Sequence, residues 1–76
     1  MIIKILGTGC AKCKKLENNA KEAVKLSGKD AEVEKVTEMD DIIDYGVMMT
    51  PGLVIDEKVV STGKVLSIEK IREMIK

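Results

Sequence analysis

The chain has 76 residues, 45% of them hydrophobic and 34% charged, and its 13 basic and 13 acidic side chains cancel. This length allows one small domain over residues 1–76, and the apolar content argues against intrinsic disorder. A formal charge of zero argues against nucleic acid or an anionic membrane as the main partner, because both select a basic excess.

Ile2 to Leu6 is a short Ile-rich run closed by Gly7-Thr8-Gly9, and it reads as a buried strand followed by a turn. From Cys10 to Leu26 the spacing is helical. Cys13, Leu16, Ala20, Ala23 or Val24, and Ser27 share one face, while Lys14, Lys15, Lys21, Glu22 and Lys25 lie mostly off it. Gly28 supplies a C-terminal stop. Ala31 to Val36 alternates and is heavily charged, which predicts a second strand at a sheet edge. Thr37 is the expected N-cap of a short helix, with Glu38, Asp40 and Asp41 in the first turn, then Ile42, Ile43 and Tyr45, and an end at Gly46. Leu53 to Ile55 is a third strand, joined by a tight Asp56-Glu57 turn to a fourth, Lys58 to Thr62, which Gly63 breaks. Ser67 caps a final helix with Ile68, Ile71 and Met74 or Ile75 on its buried face. The order β-α-β-α-β-β-α is an α/β pattern. It predicts a parallel pair joined by a right-handed crossover, an antiparallel hairpin, and a four-stranded mixed sheet with helices on both faces.

Missing residue types exclude several chemistries. The chain has no His, so Cys-His and Ser-His catalysis within it are ruled out, as are c-type haem attachment and a zinc site of two cysteines and two histidines. With no Trp or Phe and a single Tyr, there is no platform for stacking on bases. No apolar run approaches the ~20 residues of a membrane span. No signal peptide is visible before Lys4, so the expected location is cytoplasmic, without a membrane partner. Thiols are held reduced in that compartment, and a cysteine pair there needs a reason.

Cys10-Ala11-Lys12-Cys13 lies where a strand, a glycine turn and a helix meet. Residues three apart in a first helical turn have Cα atoms about 5–6 Å apart, which suits a disulfide. The helix N-terminus offers partial positive charge and unpaired N–H groups, and Lys12, Lys14 and Lys15 add cationic charge. Cys13 continues the apolar stripe with Leu16 and Ala20. The reading is an exposed nucleophile, Cys10, with Lys12 biasing it toward thiolate, and a shielded resolving thiol, Cys13. A structural disulfide is the plain alternative, but a four-residue loop constrains the unfolded chain by only about 2 kcal/mol. A soft metal is the other: two thiols could hold two-coordinate Cu(I) in a metallochaperone-like domain, whereas closed zinc or cluster sites need about four ligands. Met48 and Met49 could add soft contacts, although adjacent methionines are more simply one core and one surface residue.

Cys10-Ala11-Lys12-Cys13 after the first strand, with Thr50-Pro51 just before the third, resembles the thioredoxin/glutaredoxin superfamily, most closely its minimal single-domain redox members in bacteria and archaea. The stretch from Tyr45 to Asp56 is similar to their second signature, and the likeness covers essentially the whole chain. It implies a thioredoxin-like fold and a thiol–disulfide oxidoreductase acting on protein disulfides. Electrons would come from a donor such as a flavoprotein disulfide reductase or a small thiol, and no cofactor would be bound. It further implies a cis Pro51 beside the cysteines and a Thr50 that pairs its backbone with a substrate strand. Gly9, Ala11, Lys12 and Met49 would complete the substrate-facing surface. In thioredoxins a buried acid that assists proton transfer stands six residues before the first cysteine, and here that residue is Lys4; Gly9 replaces the usual Trp. Glutaredoxins show a Gly pair where this chain has only Gly63, so glutathione binding is not implied. Copper chaperones also place such a cysteine pair after a first strand, but they end in a strand rather than a helix.

Overall fold

The computed structural model describes residues 1–28 and 30–75. Four strands and three helices follow in the expected order: β1 (Ile2–Leu6), α1 (Ala11–Ser27), β2 (Glu32–Val36), α2 (Met39–Asp44), β3 (Gly52–Ile55), β4 (Lys58–Thr62) and α3 (Ile68–Met74). The sheet runs β2-β1-β3-β4. β1 and β2 are parallel, with Ile3 opposite Val33, while β3 is antiparallel to both β1 and β4. The charged strand β2 is an edge, as its composition predicts. At the other edge, the register slips between Leu53 and Val54, leaving Val60 as a bulge in β4.

Alternation along the two central strands divides the interior. Ile3 and Ile5 of β1 and Leu53 and Ile55 of β3 face α1 and α3, where they meet Leu16, Ala20, Ala23, Ile71 and Ile75. Leu6 and Val54 point to the other face and pack with Ile42 and Val47, flanked by Val36 and Tyr45. Helices therefore cover both faces. On α3, Ile75 rather than Met74 joins the core, and the Ser67 hydroxyl accepts the Lys70 N–H at 3.2 Å. On α1, the Asn19 amide donates to the Leu66 carbonyl at 2.9 Å and ties the helix to the segment before α3.

Turn chemistry mostly follows the residues. Gly28 closes α1 in the left-handed region, at φ 69°. Asp56 and Glu57 both have positive φ, as a two-residue hairpin of the primed type requires. Thr37 is not the cap of α2. β2 stays paired to its end, with the Val36 carbonyl accepting the Gly7 N–H at 3.0 Å, and the chain runs extended to Glu38, the N-cap, whose side chain makes no capping bond. Met48 and Met49 do not divide between core and surface. They are 87% and 67% exposed, because Val47 fills the second core beneath Gly52. No helix among the described residues is long and apolar enough to cross a membrane.

Candidate active site

The end of β1 delivers the chain to the head of α1 through Gly7-Thr8-Gly9. Cys10 is the N-cap, with extended backbone (φ −68°, ψ 167°), and its Sγ accepts the N–H of Cys13 at 3.2 Å. A sulfur here does what a Ser or Asp oxygen ordinarily does at an N-cap. No acidic residue occupies the first turn of α1, so nothing competes with a thiolate for the helix terminus.

The two thiols are free and unlike. Cys10 is exposed, and its pKa lies below the ordinary 9.0, held down first by hydrogen bonding from the Cys13 thiol, then by the Cys13 N–H. Lys12 enters this set through its backbone N–H. Cys13 is 4% exposed. Burial pushes its pKa up, and its hydrogen bond to Cys10 adds to the rise. Negative charge is thus favoured on the accessible sulfur over the buried one.

Gly7 is what makes room for Cys13. A Cβ at this position would collide with Cys13 Sγ and stand 3.0 Å from its Cβ, so only glycine fits. The same point lies 4.0 Å from Thr50 Cβ, which places Thr50 beside the cysteines. The Thr50–Pro51 peptide is cis, Pro51 is buried, and its carbonyl accepts the Gly63 N–H at 2.8 Å. Met49 lies over Gly63: a Cβ there would sit 3.2 Å from Met49 Cβ. Gly9, at φ 94°, and Ala11 and Lys12 are exposed around Cys10. Thr50 and the adjoining Pro51 thus lie beside Cys13, and Gly9, Ala11 and Lys12 flank Cys10 along the chain, while Met49 packs on Gly63.

Two residues of the site were not singled out by sequence. Gly7 reads only as part of a turn. The helical pattern does not mark Glu17, which is 8% exposed and lies one turn below Cys13. Lys4 points to the opposite face of the sheet. Its Nζ is 2.7 Å from the Glu57 carboxylate and donates to the Tyr45 hydroxyl at 2.8 Å, 5.4 Å from the ring centroid. The Tyr45 hydroxyl donates in turn to Glu57 at 3.0 Å. These bonds hold Lys4 well above the usual lysine range and Glu57 below the usual carboxylate range. For a metal, Cys10 and Cys13 offer two thiolates, and no group of three or more His, Cys, Asp or Glu occurs among the described residues.

Residues 1–76 match the family described as Thioredoxin domain. The chain is 49% identical over 75 residues to a thioredoxin of Methanothermobacter thermautotrophicus, covering 99% of this chain and 97% of that one. It is 43% identical over 76 residues to a thioredoxin of Methanocaldococcus jannaschii, covering all of this chain and 87% of that one. With a cysteine pair at a helix N-terminus, a cis proline in the same fold, and relatives of this identity along its whole length, the chain belongs to the thioredoxin domain family and is a thiol–disulfide oxidoreductase.

Proposed function

We propose that Cys10 attacks disulfides of protein substrates and that Cys13 resolves the mixed disulfide so formed. The observation that supports this most is the inequality of the two thiols: one exposed with a lowered pKa, the other buried with a raised one. Attack by Cys10 breaks the substrate disulfide and joins one of its sulfurs to Cys10. Attack by Cys13 then releases that sulfur and leaves Cys10 and Cys13 bonded. Thr50 and Pro51 shape the groove in which an extended substrate segment lies, flanked by Gly9, Ala11, Lys12 and Met49. Residues 1–76 act as one domain, in the cytoplasm, and the pair is returned to the dithiol by a flavoprotein disulfide reductase or a small thiol.

Single substitutions test the two roles. Cys10→Ser should abolish reduction of a protein disulfide such as that of insulin. Cys13→Ser should still attack and should accumulate a mixed disulfide visible by intact mass. Full disulfide-reducing activity in Cys10→Ser would overturn the assignment.

A further inference from the structure

The resolving step needs a thiolate on Cys13, yet burial disfavours that charge and the chain contains no histidine to take the proton. Glu17 is the one buried charged side chain among the described residues. It follows Cys13 by four positions, so the two lie one above the other on the inner stripe of α1. Both line a cavity of about 80 Å³ whose wall also includes Gly9, Lys35 and Thr37. A water molecule takes up about 30 Å³ in the liquid and needs 2–4 polar partners. A thiol, a carboxylate, a hydroxyl and an ammonium on the lining residues meet that need.

The charges facing Glu17 are cationic. Lys21 on the same helix stands 3.0 Å from Oε2, and Lys35 of β2 stands 3.7 Å from Oε1. Lys14 borders the cavity, and β1 contributes only the apolar Ile5. A carboxylate at this site therefore has support for its charge and a route to Cys13. Lys4 has neither, being on the opposite face and bound to Glu57 and Tyr45.

We propose that Glu17 accepts the Cys13 proton through a water in this cavity as Cys13 attacks the mixed disulfide. This rests on the reading of Cys13 as the resolving thiol. In the step, the Cys13 S–H bond breaks, its proton passes to the water, and a proton of the water passes to Glu17. The Cys13 sulfur bonds to Cys10 Sγ while the bond from Cys10 to the substrate sulfur breaks. That sulfur leaves with the electron pair and takes a proton from solvent, and Glu17 later returns its proton to solvent. Across both steps the substrate disulfide gains two electrons and the cysteine pair loses two.

The test is stopped-flow reaction of the reduced full chain with an equimolar aromatic disulfide, dithiobis(nitrobenzoate), whose coloured thiolate is released once by Cys10 attack and again by Cys13. With Glu17 as acceptor, removal of the Cys13 proton does not wait on hydroxide, and the second release in the wild type changes little between about pH 8 and pH 6. In Glu17→Gln the second release slows about 10- to 100-fold near pH 7, falls about tenfold per pH unit below that, and rejoins the wild type at high pH. The first release keeps its rate, and Glu17→Asp lies between. A wild-type second release that already falls about tenfold per pH unit would overturn the proposal, and this reading needs no variant to fold. So would a Glu17→Gln profile equal to the wild type, or one with both releases slowed alike, which marks a structural ion pair. Failure of the first release in the wild type would instead overturn the assignment of Cys10.

Discussion

Cys10 Sγ receives the Cys13 N–H while Cys13 hides behind Gly7, and these two contacts separate the thiols. Alkylation of Cys10 by iodoacetamide should therefore show a midpoint below pH 9.0. Cys13→Ala removes the largest cause of the lowering and should move that midpoint upward, with Cys13→Ser intermediate because a hydroxyl still donates. An unmoved midpoint in Cys13→Ala would mean that the helix terminus alone sets the thiolate. The same inequality fixes a sign for stability. A thiol lowered by folding stabilises the reduced protein fully above the unfolded value of 9.0, and that contribution is lost as pH falls through the folded value. Cys13, raised by folding, acts oppositely, and its contribution is lost as pH rises above 9.0. Urea unfolding of the reduced chain and of Cys10→Ser against pH reads the first of these, since the serine variant lacks it. Gly7→Ala forces a methyl toward Cys13 Sγ and should destabilise by about 1–3 kcal/mol, with the resolving step slowed more than the first attack. Wild-type stability in Gly7→Ala would contradict the packing described here.

The elements show where local signals suffice. Ser67→Ala, which removes the capping bond to Lys70, should cost about 1 kcal/mol by urea denaturation and leave exchange chemistry intact. That cap, the stop at Gly28, the edge strand β2 and the whole of β4 were legible because each depends on its own few residues. The cysteine pair was legible for the same reason: a glycine turn, a helix start and their spacing are all local. Glu17 was not. Its burial depends on the inner stripe of α1 lying over Ile5 while Lys35 reaches it from β2, a meeting of three elements that helical periodicity does not encode. Gly7 was missed similarly, since the collision that excludes a side chain lies between a strand end and the first turn of the next helix. Thr37 misled because its capping propensity yields to the pairing of β2, which carries the chain past it. The methionines misled because composition could not show that Val47 already fills the space they were expected to share.

At the scale of the molecule, the sheet holds two cores, and the site sits where their shared strand β1 ends. A domain of 76 residues has total stability of roughly 4–11 kcal/mol, so one core truncation consumes much of it. Leu16 is fully buried beneath the cysteines, and Leu16→Ala should cost about 2–5 kcal/mol. A loss below ~1 kcal/mol in urea would show that the core under α1 is less well packed than described. The measurement that tests the account most directly is a redox titration of the purified, metal-free chain, with free thiols counted by alkylation and intact mass. The account predicts one reversible two-electron couple on Cys10 and Cys13, between about −270 and −120 mV where dithiol oxidoreductases lie. A pair that forms no intramolecular disulfide, or one still oxidised below about −300 mV as structural disulfides are, would contradict it.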